Sequence, residues 1–350
     1  MSLWVAENHT PFAVGRSFVR DREGREVWAV AIRATFQIEA DGSLGLAAEQ
    51  VPVSRAASYR GQPGNSSLLF DTDFAFTKLA TDVVLQGHAW APAQRAAPSV
   101  AVSLQLGAIR KQLCVHGART WARQKESGGQ TSVPSRAQPF LKWPIVYEHA
   151  WGGLDPEGAG GWELNPVGLG FAKQVATLEE RPVPNVEDPR EPLTVAGQAP
   201  SQPAGFGAIA PHWAQRTRYA GTYDARWQRE RAPLWPEDFD TRFFQVAPPD
   251  QQIPGFLRGG EVCELRNLTP QGALRFTLPR LRITTTTHFK DSEVQRVADL
   301  HLVSVDTDAL RVQLVWQMTL ECHGREHLLR CTRIRWEGER ICRSQSTPTV

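Results

Sequence analysis

Three aspartates lie among aromatic residues in one part of the chain, and this combination could act on a carbohydrate. Asp224 together with Asp238 or Asp240 could supply the two carboxyl groups that glycoside hydrolases use. Aromatic side chains that could stack on sugar rings lie nearby in the sequence, namely Trp213, Tyr219, Tyr223 and Trp227. A carbohydrate-active protein, either a hydrolase or a glycan-binding module, is therefore one interpretation.

Arginines in the same stretch favour a different interpretation. They are Arg216, Arg218, Arg226, Arg229, Arg231 and Arg242. With so many guanidinium groups nearby, the aspartates are expected to be ionised partners in charge-assisted hydrogen bonds rather than proton donors. Trp, Tyr and Arg also dominate the binding hot spots between proteins, although packing of the aromatic residues in a core is the alternative. We therefore expect no enzymatic activity and a surface that binds another protein.

The sequence YEHAWGG at residues 147–153 places a carboxylate beside an imidazole. Adjacent residues of a strand point to opposite faces, so Glu148 and His149 cannot easily converge on one substrate atom. The motif is instead predicted to form a structural aromatic turn closed by its glycines. Taken over both stretches, the candidate partner contacts are Tyr147, Glu148, Trp151, Trp213, Arg216, Tyr219, Tyr223, Asp224, Trp227, Asp238 and Asp240.

No sequence motif indicates a cofactor, a metal or covalent catalysis. The chain contains neither a GxSxG elbow nor an HExxH helix, and its glycine pairs lack the strand–loop–helix frame of a phosphate loop. Its five cysteines are odd in number and widely spaced, without the CxxC pairs of zinc or redox sites. We expect no cofactor and no metal, and reduced cysteines in a cytoplasmic protein.

Charge and hydropathy exclude two classes of partner. The net charge is +2, from 39 basic and 37 acidic residues, so no nucleic-acid partner is expected. The first residues lack the basic and apolar regions of a secretory signal, and no stretch reaches the roughly 18 apolar residues of a membrane span. We expect no membrane association.

Alternating apolar residues predict antiparallel strands at both ends of the chain. The clearest are residues 27–39, which pair through an Asp41-Gly42 turn with residues 44–53, the hairpin of residues 100–106 and 109–115, and residues 310–320. Residues 122–139 lack a pattern and are predicted to form an exposed loop or hinge. Short helices are predicted around residues 213–219 and 224–231, the second with Thr222 as a possible cap.

These patterns predict a mainly β protein with antiparallel, sandwich-like sheets and a few short helices. Two β lobes are expected, at residues 1–135 and 136–345. The second lobe includes an irregular insert, rich in proline, glycine and aromatic residues, at about residues 203–255. The two lobes are expected to form one continuous unit.

Several long motifs resemble the family known as domain of unknown function 2169. They are TDVVLQGHAWAP, GAIRKQLCVHGARTW, FLKWPIVYEHAWGG, NPVGLGF, PNVEDP, GFGAIAPHWAQR, AGTYDARWQRERAPLWPEDFDTRFFQVAPPDQQ and LRGGEVCELRNLTPQGALRFTLP. Their order and spacing extend the resemblance over about residues 15–315. The resemblance implies a cytoplasmic adaptor or chaperone of bacterial type VI secretion systems, which helps to load a toxic effector onto the PAAR or VgrG tip of the spike, with a possible second small co-adaptor.

Overall fold

The computed structural model of the chain describes residues 4–126, 129–158 and 160–339, and within them the fold is mainly β. The first strands are β1 (Val5–Asn8), β2 (Ala13–Arg20), β3 (Glu26–Ile38), β4 (Leu44–Leu46), β5 (Ser58–Tyr59), β6 (Leu68–Phe70), β7 (Ala80–Gln86), β8 (His88–Trp90), β9 (Ser99–Leu106), β10 (Ile109–His116), β11 (Trp121–Glu126) and β12 (Gly129–Pro134). The strands that follow are β13 (Lys142–Pro144), β14 (Trp151–Gly152), β15 (Leu169–Gly170), β16 (Val186–Glu187), β17 (Gln252–Pro254), β18 (Val262–Arg266), β19 (Ala273–Thr277), β20 (Leu281–Phe289), β21 (Glu293–Val297), β22 (Asp299–Asp306), β23 (Arg311–Glu321) and β24 (Leu329–Gly338).

Helices in the described residues are short. The α-helices are α1 (Ala214–Thr217) and α2 (Ala225–Glu230), which confirms both predicted helices in position. Each ends early because Gly221 or Pro233, residues that do not continue a helix well, follows within a few positions. Single 3-10 turns lie at Pro92–Gln94, Tyr147–His149, Val175–Leu178, Thr241–Phe244, Pro249–Gln251 and Glu326–Leu328.

The largest sheet in the described residues has the strand order β17-β7-β22-β23-β3-β2, with β4 added beside β3. Its central pair, β3 and β23, is antiparallel, whereas β7 and β22 run parallel. The predicted strands at residues 27–39 and 310–320 are therefore confirmed. The return strand predicted at residues 44–53 is shorter than expected, because only Leu44–Leu46 pairs with β3.

The alternation of apolar and polar residues at positions 27–39 predicts a half-buried strand, and this prediction is wrong because β3 is buried on both faces. Its apolar face joins the main core, and residues 50–75 cover the other face. The Arg33 guanidinium lies 2.8 Å from the Asp73 carboxylate, and the Thr35 N–H donates to the Gln50 side chain at 2.9 Å. These two polar residues can be buried because each of them forms a hydrogen bond with the covering segment.

Two further sheets complete the core. One has the order β16-β10-β9-β18-β19 and includes the predicted hairpin of β9 and β10, and the other has the order β1-β24-β20-β21. One continuous hydrophobic core contains residues from all three sheets. Strands from residues 1–135 and from residues 136–339 pair within the same sheets, so residue 135 does not mark a boundary between sheets. The end of the predicted second lobe, residues 340–345, lies outside the described residues.

The stretch predicted as a loop at residues 122–139 contains a β-hairpin instead. Strand β11 pairs with β12 from Trp121↔Pro134 to Glu126↔Gly129. Backbone pairing between strands that are close in sequence needs no hydrophobic alternation, and so the periodicity gave no sign of it. The hairpin is anchored at its base by Trp121, which is buried against Trp151 and Leu178. Residues 127 and 128 lie outside the described residues.

Candidate functional site

Residues 203–252, the aromatic segment, divide into a buried inner part and an exposed outer part. The inner part comprises residues 204–216 and 245–251, and it packs against β7 and the turn at residue 147. The outer part, residues 219–242, contains α2 and consists mainly of exposed or partly buried residues. The candidate contacts that lie in this segment are distributed over both parts, and those in the outer part are the accessible ones.

Tyr147 and Trp213 are anchors of the inner part. Their rings meet edge to face at a centroid distance of 5.2 Å, and the Tyr147 hydroxyl donates to the Gly207 carbonyl oxygen at 3.1 Å. A Cβ atom at Gly205 would lie 2.5 Å from the Tyr147 ring, so glycine is required there for this contact. Burial raises the pKa of the Tyr147 hydroxyl. Both side chains are buried, and so they hold the segment in place rather than contact a partner.

Arg216 is also buried and ties α1 to three other parts of the chain. Its guanidinium lies 2.7 Å from the Asp71 carboxylate and donates to the carbonyl oxygens of Ile209 and Phe243. It also lies over the Phe243 ring, at 5.0 Å from the centroid. The side chain thus binds other parts of the same chain instead of projecting toward a partner.

The motif at residues 147–153 forms a turn, as predicted, but its first residues are a 3-10 turn and not a strand. Glu148 accepts hydrogen bonds from the backbone and hydroxyl of Ser67, and His149 Nδ1 accepts from the Trp143 indole at 3.0 Å. Burial lowers the pKa of His149. The two side chains have separate partners, which supports a structural role for both.

Trp151 belongs to a separate aromatic cluster. It is buried and packs edge to face on Trp162 at 4.6 Å and on Phe171 at 6.0 Å. The glycines that follow it, Gly152 and Gly153, have positive φ angles and closely approach the backbone of residues 165–169. A side chain at either glycine would clash there, which explains why the motif ends in two glycines.

The three aspartates of the outer part hold turns and helix ends. Asp224 caps α2 by accepting from the Trp227 N–H at 2.8 Å, so the predicted cap, Thr222, is not the cap. Thr222 instead donates to Asp238 through its N–H at 2.9 Å and its hydroxyl at 2.7 Å. A carboxylate accepts the free N–H groups of a helix start more strongly than a distant hydroxyl can, which favours Asp224.

Asp240 is the one candidate aspartate with an arginine partner in the described residues. It caps the turn Thr241–Phe244 and accepts from Arg242 Nε at 2.9 Å. These hydrogen bonds lower the pKa of Asp240, and the two from Thr222 lower the pKa of Asp238. Arginine pairing is therefore confirmed for Asp240 but is wrong for Asp224 and Asp238. A lowered pKa is the opposite of what a glycosidase general acid needs.

Aromatic side chains of the outer part remain accessible. Tyr223 is 56% exposed and meets the Trp227 ring at 4.7 Å, and the Trp227 indole donates to the Leu234 carbonyl oxygen. The Tyr219 ring is contacted by the guanidinium groups of Arg218, at 4.7 Å, and Arg242, at 4.5 Å. These contacts fix each ring in a single position while leaving part of it exposed.

The sequence prediction missed a surface cluster of aromatic residues beside Tyr219, which we call the aromatic patch. Its rings lie 4.5 to 5.8 Å apart, and all of them are only partly buried: Phe76, Trp235, Phe239, Phe243 and Phe244. Leu79 is 52% exposed, and its N–H donates to the side chain of Gln245, the residue that follows Phe244 of the patch. The close spacing of aromatic residues at 235, 239, 243 and 244 was the available signal.

The comparisons with known proteins identify the family of the chain. A family model described as "Uncharacterized protein conserved in bacteria (DUF2169)" matches residues 23–317. The chain belongs to the DUF2169 family. No curated protein and no solved structure matches it. The matched range of this DUF2169 protein includes the whole aromatic segment and the aromatic patch.

Neither a metal-binding cluster nor a membrane-spanning helix is present in the described part of this DUF2169 chain. Residues 4–126, 129–158 and 160–339 contain no group of three histidine, cysteine, aspartate or glutamate side chains that could hold a metal ion. None of the helices in the same ranges has the length and apolar character needed to cross a membrane. The accessible side chains of the aromatic segment make aromatic contacts, cation–π contacts and ion pairs.

Proposed function

We propose that this DUF2169 protein is an adaptor of a type VI secretion system. In the cytoplasm it binds a toxic effector and helps to load that effector onto a PAAR or VgrG protein at the spike tip, alone or with a second small co-adaptor. Binding is its whole activity. The resemblance of the long sequence motifs supports the secretion-system context, and the aromatic patch supports a role in binding protein.

The observation that carries the proposal is the partly exposed aromatic patch. Clustered aromatic residues framed by arginines have the composition of a protein–protein hot spot. In the patch the rings contact one another instead of the core, and Arg216 and Arg242 hold the backbone and rings around them. A surface that is already rigid before binding loses little conformational entropy when a client docks on it.

The carbohydrate-active alternative has one favourable observation, the exposed ring of Tyr223 beside Trp227. Against a hydrolase, Asp238 and Asp240 have lowered pKa values and Asp224 is used as a helix cap. A glycan-binding module would show saturable sugar binding that Trp227→Ala abolishes. We therefore place it second, and a glycan panel on the purified protein tests it.

The proposal is tested by co-expressing the tagged chain with effector and PAAR candidates encoded beside it, followed by affinity capture and size-exclusion chromatography. We expect a stoichiometric complex. Leu79→Asp should disrupt it, because it places a charge on an exposed side chain whose backbone is bonded to Gln245, next to Phe244 of the patch, and we expect the exposed position to tolerate the change. The matched control is Leu141→Asp, at a leucine that is 50% exposed away from the patch. A wild-type chain that never forms a complex, or a complex equally tolerant of both variants, would refute the proposal.

A further inference from the structure

A second surface feature, the arginine cleft, lies outside the aromatic segment. It is a cleft of about 670 Å³ where the start of β20, the end of β24 and the start of β22 meet. Leu281, Leu300 and Trp316 line its apolar floor, and all three are buried. Arg258, Arg280 and Arg282 line it as well, and all three are exposed. The cleft thus combines an apolar floor with a cationic rim.

Two glycines bring these arginines together. Gly259 and Gly260 both have positive φ angles, and added Cβ atoms would lie 2.2 Å from the Pro279 carbonyl oxygen and 2.5 Å from Arg280 Nε. Only glycine permits so close an approach of residues 258–260 to residues 279–280. As a result, Arg258 and Arg280 lie at the same cleft although they are distant in sequence.

The backbone beside the cleft is strained at one position. Phe256 has a φ of 62°, in the left-handed region that a bulky residue rarely adopts. Its ring stacks on His301 at a centroid distance of 5.4 Å. Such strain persists where the surrounding structure enforces it, and it is concentrated at functional sites.

The three arginines of the rim form few ion pairs within the described residues, so their guanidinium groups can bind an anionic partner. In the described residues neither Arg258 nor Arg280 forms an ion pair, and Arg282 has only a long contact of 3.9 Å with Glu337 between two exposed side chains. The acidic residues of the cleft are Asp299 and Glu337, so three cations face two carboxylates. Burial also raises the pKa of Asp299, although Arg258 opposes the rise. The rim is therefore complementary to an anionic group.

We propose that the arginine cleft binds an acidic, apolar peptide segment of a partner protein. A bulky apolar side chain of that segment lies on the floor of Leu281, Leu300 and Trp316, and carboxylates beside it pair with Arg258 and Arg280. The inference rests on the proposed function in taking the partner to be the client effector. It adds a second contact, distinct from the aromatic patch, that selects the client by charge.

Fluorescence anisotropy of a labelled peptide, acetyl-DELWED-amide, tests the cleft directly with the full-length chain. We expect saturable binding that the double variant Arg258→Glu, Arg280→Glu weakens by about tenfold or more, because like charges then face the peptide. The variant Arg20→Glu, at another exposed arginine, is the matched control and should bind as the wild type does. Thermal unfolding checks that both variants remain folded.

Two analogues of the peptide separate the contribution of its carboxylates from that of the apolar side chains that contact the floor of the cleft. The neutral acetyl-NQLWQN-amide and the acidic acetyl-DEAGED-amide should both bind at least about tenfold more weakly than the first peptide. Equal binding of the neutral analogue, absence of saturable binding of the first peptide, or equal binding by the double variant would overturn the inference.

Co-purification with the client distinguishes this inference from the proposed function. If the wild-type chain captures no client, the proposed function fails, and the peptide titration still decides whether the cleft binds acidic, apolar segments. If the wild-type chain captures the client and the double variant captures it equally well, the cleft inference alone is refuted. Loss of client from the double variant, with capture by Arg20→Glu unchanged, supports both.

Discussion

The Arg216 guanidinium lies 2.7 Å from the Asp71 carboxylate, and both side chains are largely buried. This ion pair joins α1 in the aromatic segment to the residue that follows β6. Arg216 also satisfies two backbone carbonyl oxygens and supports the Phe243 ring of the aromatic patch. One side chain thus connects the buried anchor of the segment to its accessible surface.

Arg216→Ala is expected to lower the free energy of unfolding by about 3–5 kcal/mol, since removing one member of a buried ion pair leaves the other charge without a partner. Urea titration followed by tryptophan fluorescence measures the change. Arg226→Ala is the matched control, because Arg226 pairs with Glu230 on the exposed face of α2. That change should lower stability far less, because water screens an exposed ion pair. If both variants lose similar free energy of unfolding, the buried contact with Asp71 stabilises the protein no more than the exposed pair of Arg226 and Glu230 does.

Asp224 is expected to act as a helix cap and not as a catalytic acid. Asp224→Ala should destabilise α2 by about 1 kcal/mol, whereas Asp224→Asn should have little effect because asparagine caps a helix nearly as well. Hydrogen exchange of the amides of residues 227–231 measures the local change. If the protein instead hydrolysed a glycan and Asp224→Asn abolished that turnover, the capping role would not be the whole function.

His116 is expected to make stability depend on pH. Burial opposes its protonation, but hydrogen bonds with Cys114 and Glu187 outweigh burial and raise its pKa from 6.5 to about 9. Because the pKa is higher in the folded chain than in the unfolded chain, the stabilisation is complete below pH 6.5 and is lost as the pH rises to 9. The shift corresponds to about 3 kcal/mol, and the partial exposure of the imidazole reduces the expected loss to on the order of 2 kcal/mol.

Urea titrations at pH 6 and pH 9.5, under reducing conditions, measure this pH dependence. His116→Gln should remove most of the difference between the two pH values. An unchanged difference in that variant would assign the pH dependence to other groups.

Cys114 is expected to be the most reactive of the four cysteines in the described residues. It is partly exposed and lies two residues from His116 on the same face of β10. Burial raises the pKa of Cys263, Cys322 and Cys331, and Glu7 contributes to the rise at Cys331.

Alkylation by iodoacetamide at pH 7.5, followed by peptide mass spectrometry, ranks the thiols. Cys331 is the matched control, since it has similar exposure but faces a carboxylate instead of an imidazole. Cys342 lies outside the described residues, so the experiment uses a Cys342→Ser background. Equal rates at Cys114 and Cys331 would contradict this ranking.

The sequence predicted the secondary structure best where the pattern was local. Alternating apolar residues correctly placed the long strands β3 and β23 and the hairpin of β9 and β10, because the two-residue period of a strand is visible in the sequence itself. The helix α2 was also predicted in position, but its cap was not. Thr222 and Asp224 are both suitable caps, and only the fold places Asp238 where it accepts from Thr222.

Candidate contacts were predicted by residue type, and type does not determine exposure. Trp213, Tyr147 and Arg216 have hot-spot composition, yet the fold buries all three. Whether an aromatic ring lies in a core or on a surface depends on which segments cover it, and those segments are distant in sequence. The aromatic patch was missed for the same reason, since Phe76 joins Trp235 only in the folded chain.

By itself, the sequence determined that this DUF2169 protein is mainly β, where its long strands lie, and which residue types are concentrated in residues 203–252. The tertiary structure alone decided that the first and last thirds of the chain share sheets, that the aspartates hold turns, and that three arginines meet at one cleft. Periodicity and composition are local properties of a sequence. Pairing between distant strands, burial and the convergence of charges arise only from contacts between residues far apart in the chain.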